Sequence, residues 1–377
     1  MGILRAKVML SLGVAGMLVM AAIVWTPYGP YAFIPKPKPA KLSISNLHEA
    51  ETVMHEHEAA SMPKSAAQQQ PGTPSASGPK LVLLLSSTPR SGSSFIGELL
   101  ATYKPTAVYF FEPLHKIQEL PCMLDNSCVS NYLGNIFSCD LDNAFQQWLR
   151  SKSVFFQFFS QTSKSCGDKS SNSEIKSCFS KIDMINECLQ ADVRLIKVIR
   201  SRIHHIVPLL NSLPHIKVVH LYRDPRGFMN SINKFTNWNH NSSKYCENLN
   251  NDLLDFRILS EKHPQQMIQI AYENFSNDPT EGTKKLFNFV YGNATLEAPT
   301  LSYLESHTKF DSNGPMTTLK NSGAAAEAWR NTISIKTLGD VEHDLQCRQA
   351  VRLMNHTIFN SIENARNRNI PLELHKV

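Results

Sequence analysis

The apolar and polar positions divide the chain into three stretches of different pattern. Val8 to Trp25 is a run of eighteen residues without a charge. As a helix at about 1.5 Å per residue it spans roughly 27 Å, which suits a thin secretory-pathway bilayer. From Thr26 to Lys80 the periodicity disappears. From Leu81 onward, short apolar runs alternate with segments of helical period. The five consecutive aliphatic residues Leu81 to Leu85 predict a strand buried on both faces of a parallel sheet. Ala107–Phe111, Val193–Ile199, Ile216–Tyr222 and Met267–Tyr272 predict further strands. Helical spacing predicts helices over 93–100, 141–150, 173–189, 204–213 with an interruption at Pro208, 244–261 and 279–290. Beyond Ser322–Arg330, further helices are expected over 333–338 and 341–360. This alternation argues for a three-layer α/β fold with a parallel central sheet.

The flanks of the first run decide how it is read. Arg5 and Lys7 precede it, no small-residue cleavage site follows it, and its apolar core is longer than a signal peptide needs. An uncleaved signal anchor is expected, with a cytoplasmic tail at 1–7, a transmembrane helix at 8–25 and everything later on the lumenal side. Residues 26–80 hold nine of the twenty-one prolines and read as a disordered, extended stem. His48, His55 and His57 lie there among glutamates, a solvated acidic stretch rather than a metal tract. Residues 81–377, about 300 in all, suffice for one large α/β domain or two smaller ones.

Composition supports the lumenal reading. All eight cysteines follow the anchor, and their spacing shows no repeated Cys-x-x-Cys pair, so disulfides are expected and a metal site is not. Asn241, Asn274, Asn293 and Asn355 begin Asn-x-Ser/Thr sequons. The net charge of +6 fits an acidic small molecule or a polyanionic glycan and is too diffuse for nucleic acid.

Candidate chemistry concentrates at the ends of the predicted strands. After Leu85 comes Ser86-Ser87-Thr88-Pro89-Arg90-Ser91-Gly92-Ser93-Ser94-Phe95, a small, hydroxyl-rich turn leading into a helix that one of its serines can cap. A strand, tight loop and helix N-terminus present N–H groups and a positive dipole end to an anion. No Gly-Lys-Ser/Thr follows, which counts against a nucleoside triphosphatase; a ligand-free connecting loop is the bland alternative. The second strand ends at Glu112-Pro113-Leu114-His115, where Glu112 is a candidate general base and His115 could share its role, orient it or cap the turn. The fourth strand runs into Arg223-Asp224-Pro225-Arg226-Gly227, with Ser231 about two turns further on; arginines suit forked recognition of phosphate. Trp329 is either a core aromatic or a wall for a purine base.

The two anion-binding stretches, TPRSGSSF and RDPRGFMNS, together with FFEPLH, KVIR, AYENF and AEAWR, closely resemble the Golgi carbohydrate sulfotransferases. The resemblance is to the galactose, N-acetylgalactosamine and N-acetylglucosamine 6-O-sulfotransferases, and runs from about Leu81 to Phe359. It implies a P-loop-like sulfotransferase fold and a sulfuryl donor, 3′-phosphoadenosine 5′-phosphosulfate, with no metal required. By position, Pro89, Arg90, Ser91, Gly92, Ser93, Ser94 and Phe95 would line the 5′-phosphosulfate site. Arg223 and Ser231 would contact the 3′-phosphate, within a segment that includes Asp224, Pro225 and Arg226. Glu112 would be the base for the acceptor hydroxyl, and Arg90 would stabilise charge on the leaving phosphate. Pro89 stands where the family often has Trp, His115 comes one residue early, and Ile232 replaces an arginine. The implied partners are a glycan or proteoglycan acceptor and the Golgi membrane; self-association is compatible with the sequence. Alternatives are a 2-O or 3-O glycosaminoglycan sulfotransferase, or a catalytically silent glycan- or nucleotide-binding module.

Overall fold

The computed structural model describes residues 78–151, 166, 171–309, 318 and 321–374. The expected anchor and stem and the apolar segment Val154–Phe156 lie outside the described residues. Among those described, no helix is long and apolar enough to cross a membrane.

Five parallel strands form the sheet: β1 (Lys80–Ser86), β2 (Val108–Phe111), β3 (Val193–Val198), β4 (Lys217–Tyr222) and β5 (Met267–Ala271). Their spatial order is β2-β3-β1-β4-β5. The first strand is therefore central, with Leu83 beside both Ile196 and Val218, and each of its core residues is wholly buried. Burial on both faces explains why β1 is an unbroken aliphatic run and does not alternate.

One face carries Val82, Leu84, Tyr109, Leu195 and Val219 against α1 (Ser93–Ala101) and the later helices Tyr272–Asn277, Pro279–Tyr291 and Ala298–Thr308. The other carries Leu83, Leu85, Val108, Phe110 and Val198 against α2 (Asn126–Phe137) and helices drawn from 143–212. A third cluster joins α3 (Pro225–Ile232) to α4 (Ser242–Lys262), Ile335–Glu342 and Leu345–Leu353 through Phe228, Ile232, Leu249 and Val341. The three-layer architecture agrees with the sequence reading.

Several element boundaries differ from expectation. The 173–189 helix is two, Asn172–Ser180 and Met184–Leu189, the second capped by Asp183, whose Oδ1 accepts from Asn186 N at 3.0 Å. The 341–360 helix is likewise broken, because Asp344 caps Leu345–Leu353, which ends with Met354. Tyr272 is not the end of β5 but the first residue of a short helix, α5 (Tyr272–Asn277). Four disulfides close the domain: Cys122–Cys128, Cys139–Cys188, Cys166–Cys178 and Cys246–Cys347.

The order of the strands places the site. Going from β1 the chain moves to the far edge for β2, returns to β3, and crosses to the other side of β1 for β4. Ligands of open parallel sheets bind beyond the carboxyl ends of the strands at such a reversal. Loop 87–92, Glu112, Ile199–Arg202, Arg223 and Tyr272 all follow directly from those ends.

Candidate functional site

The loop after β1 is fixed by its own hydroxyls. Ser91 Oγ donates to the Thr88 carbonyl at 2.6 Å and lies 2.9 Å from Thr88 Oγ1, and Ser86 Oγ donates to the same carbonyl at 2.8 Å. Arg90 and Gly92 take positive φ angles of 65° and 85°. Gly92, not a serine, stands at the helix N-cap, and no side chain caps α1. The expected serine cap is absent because the left-handed turn at Gly92 turns the chain directly into the helix, whose first N–H groups remain for an anion.

Behind the loop, Ser87 Oγ lies 2.6 Å from His220 Nε2, and Gln269 Nε2 is 3.0 Å from the other ring nitrogen. Burial first, and the charge of Arg202 second, push the His220 pKa down to about 3. A neutral ring buttressing the loop follows. Arg202 donates to the Ser87 carbonyl at 2.9 Å and pairs with the buried Asp252 at 2.8 Å.

The structure brings the two expected anion stations into contact. Arg90 Nε donates to Ser231 Oγ at 3.1 Å, and Arg223 Nη1 donates to the Arg90 carbonyl at 2.8 Å. Burial, and after it the like charge of Arg223, lower the pKa of Arg90. Two guanidinium groups held together in this way favour an anion between or upon them. Ser93 and Ser94, in the first turn of α1, make no side-chain hydrogen bond to a described residue. Pro89 is buried under the loop, and Phe95 packs against Phe275 and Tyr303 with ring centroids 5.9 and 5.4 Å away. Ser91 and Phe95 therefore shape the loop from within, Ser93 is buried, and Arg90, Gly92 and Ser94 are partly exposed.

Asp224, Pro225 and Arg226, expected in the cofactor site, are placed in its support. Asp224 caps α3 by accepting from Arg226 N at 2.8 Å. Its carboxylate takes Arg226 Nη2 at 2.6 Å and His356 Nδ1 at 2.8 Å. Burial would push that carboxyl up, but Arg226 and His356 hold it well below the usual range. Arg226 also pairs with Glu342 at 2.8 Å and donates to the Thr357 carbonyl at 2.6 Å. Fully buried, with its donors committed, it cannot reach a ligand. Trp329 stacks on the same guanidinium and is 2% exposed, which makes it a core aromatic and not an open wall.

Glu112 is 3% exposed and takes a left-handed φ of 55°. Its Oε1 is 2.7 Å from Lys197 Nζ, and its Oε2 accepts from Arg200 Nη1 at 2.8 Å and from Ile199 N at 3.3 Å. Lys197 and Arg200 are the two ends of the KVIR stretch, and the sequence reading pairs neither with Glu112. Lys197 follows Val193 and Leu195 on one face of β3, and its ammonium lies 4.3 Å from the Phe111 ring centroid. Burial lowers its pKa, Glu112 raises it, and Arg90 lies within range of its charge. Lys197 thus links the Glu112 end of the crevice to the loop. His115 packs near Trp148, with ring centroids 6.2 Å apart, and its backbone N–H donates to the Glu112 carbonyl at 3.0 Å.

Residues 83–291 match a family model described as "Sulfotransferase family". The chain belongs to the sulfotransferase family. Human carbohydrate sulfotransferase 3 is 22% identical over 351 residues, covering 79% of this chain and 72% of that protein. Carbohydrate sulfotransferase 1 of Danio rerio is 24% identical over 358 residues, covering 78% and 82%. Among solved structures, the sulfotransferase domain of the Synechococcus PCC 7002 olefin synthase aligns over 76% of this chain and 97% of its own at 16% identity. Its TM-score of 0.40 leaves the assignment resting on the sequence match.

Sulfotransferase family membership implies 3′-phosphoadenosine 5′-phosphosulfate as sulfuryl donor. The residues fit a doubly anionic group of this kind: Arg223 Nε is a buried donor with no hydrogen-bond partner, and it lies beside the second guanidinium of Arg90. Among the described residues no cluster of metal-ligating side chains occurs.

Proposed function

We propose that this sulfotransferase moves a sulfuryl group from 3′-phosphoadenosine 5′-phosphosulfate to a carbohydrate hydroxyl, the 6-hydroxyl of galactose, N-acetylgalactosamine or N-acetylglucosamine in a glycan or proteoglycan chain. The observation that carries the reading is the contact between the two arginine stations, Arg90 on the loop and Arg223 with Ser231 at α3. The carbohydrate sulfotransferases to which the chain is similar support the acceptor class, and the sequence resemblance supports the 6-position.

When bound, the donor supplies an activated sulfuryl group on a phosphate leaving group. Arg90 and the first amides of α1 would hold the 5′ end, and Arg223 and Ser231 the 3′-phosphate. Glu112 would hold the proton released by the acceptor hydroxyl, its charge steadied by Lys197 and Arg200. Closing these cations around the reacting oxygens stabilises charge where it develops.

The same reading places the chain in the Golgi membrane as a type II protein with a lumenal catalytic domain. The four disulfides and the exposed Asn241, Asn274 and Asn355 of three sequons support that reading. Incubation of the full chain with radiolabelled donor and a panel of desulfated glycans tests the activity, and linkage analysis of the product tests the position. Label on a 2- or 3-hydroxyl would overturn the 6-O reading. Donor binding without transfer to any glycan would overturn the catalytic one.

A further inference from the structure

Arg223 is held in an unusual way for a charged side chain at the floor of a site. Among the described residues no carboxylate forms an ion pair with it. Its guanidinium carbon instead lies 4.1 Å from the centroid of the Tyr272 ring. An aromatic face fixes a guanidinium without neutralising it, whereas a carboxylate would cancel the field meant for a ligand. The same ring touches the first station: a Cβ built on Gly92 would meet Tyr272 Cδ2 at 2.9 Å and Cε2 at 3.0 Å. From the side of α3, Gly227 comes so close that a Cβ there would lie 3.0 Å from Arg223 Nε. Arg223 is thus clamped between a ring and a glycine, next to the like charge of Arg90.

The turn that carries Tyr272 also grips the backbone of the second station. Tyr272 opens α5 directly after β5, and its neighbour Glu273 accepts from Asp224 N at 3.0 Å. One short turn therefore sets the side chain of Arg223 and the backbone immediately after it. The Tyr272 hydroxyl makes no hydrogen bond to a described residue, so the ring, not the phenol, does the positioning.

We infer that Tyr272 is a positioning residue: its ring sets Arg223 against the loop of Arg90 and so determines how strongly the site prefers a nucleotide with a 3′-phosphate over one with a 3′-hydroxyl. The inference rests on the donor reading above. It adds a residue whose removal changes selectivity between nucleotides without touching the Glu112 end of the crevice.

Calorimetric titration of the full chain with adenosine 3′,5′-bisphosphate and with AMP tests it, since neither ligand requires turnover. The unsubstituted protein is expected to prefer the bisphosphate; equal affinities would overturn the donor reading itself, and the inference with it. Tyr272→Phe keeps the preference. Tyr272→Leu lowers affinity for the bisphosphate by about tenfold, the order expected for losing a desolvated cation–π contact, and leaves AMP within about twofold. The KM for the acceptor glycan stays unchanged in both variants. Should the leucine variant fail to fold, Tyr272→Met, which fills similar volume without an aromatic face, is read by the same ratio. An equal loss for both nucleotides, an unaltered ratio in the leucine or methionine variant, or a loss in Tyr272→Phe as large as in Tyr272→Leu overturns the proposal.

Discussion

Glu112 carries the sharpest prediction at the scale of single residues. Its two oxygens are shared between Lys197, Arg200 and a backbone N–H, so replacing it with glutamine preserves shape and removes the proton acceptor. Turnover of Glu112→Gln should fall by about 100-fold or more, with affinity for adenosine 3′,5′-bisphosphate unchanged. Near-normal turnover in that variant would exclude Glu112 as the base. Arg90→Ala should instead lose both: kcat by at least about 100-fold and bisphosphate binding measured by titration. Arg90, Glu112 and Arg223 stand out in the sequence as candidates because each follows a strongly patterned strand, and Ser231 because it lies on the helix that follows Arg223. The pairing of Lys197, the first residue of KVIR, with Glu112 was not legible, since a lysine inside Val193-Arg194-Leu195-Ile196-Lys197-Val198 resembles a solvent-facing strand position. The one available signal was parity, because Lys197 shares its face with Val193 and Leu195. Arg226 was misplaced for a different reason: its partners Glu342 and Thr357 lie more than a hundred positions away, and no local pattern announces them.

Among the elements, the loop after β1 and the helix it feeds depend on Gly92. Alanine there would take a left-handed φ of 85° and meet the Tyr272 ring at 2.9 Å. Gly92→Ala should destabilise the domain by about 1–3 kcal/mol, seen as a lower midpoint in urea, and should weaken donor binding as well. The paired helices α4 and Leu345–Leu353 depend on a covalent tie, Cys246–Cys347, which closes a loop of 101 residues. Replacing both cysteines by alanine should cost about 3–5 kcal/mol in the same measurement, with much smaller losses for the six-residue Cys122–Cys128 loop. The strands were read from sequence nearly to the residue, since burial on two faces leaves an unambiguous apolar signature. Helix α2 was passed over because it holds Cys128 and lies between Cys122 and Cys139, a stretch that reads as cysteine-rich loop. Long helices were joined in the reading wherever an aspartate cap, Asp183 or Asp344, restarts the helix without a proline or glycine to mark the break.

For the whole molecule, stability should depend on pH through the buried charges that support the second station. Burial, and next to it the Asp224 carboxylate, push Glu273 up to about 7, while its Oε2 has no hydrogen-bond partner. A carboxyl whose folded pKa lies above its unfolded value of 4.5 holds its proton in the folded state after the unfolded chain has released it. The folded state then binds more protons, so this group's contribution falls as pH rises from about 4.5 to about 7. The full span is worth about 3 kcal/mol at most. His356 acts in the same direction: burial lowers its pKa, but Asp224 raises it further, so its stabilisation is lost as pH rises through the folded value. His205 and His220, pushed down to about 4 and about 3, act oppositely, since unfolding lets them protonate below about 6.5. The protein's own profile is the sum of these opposed limbs, and one substitution separates them. Glu273→Gln keeps a carbonyl to accept from Asp224 N and stays neutral at every pH. Relative to the unsubstituted protein, it should therefore gain stability as pH rises from 5 to 8, by up to about 3 kcal/mol. Denaturant midpoints measured for both proteins across that range decide the matter: curves that run parallel would show that folding does not raise the Glu273 pKa.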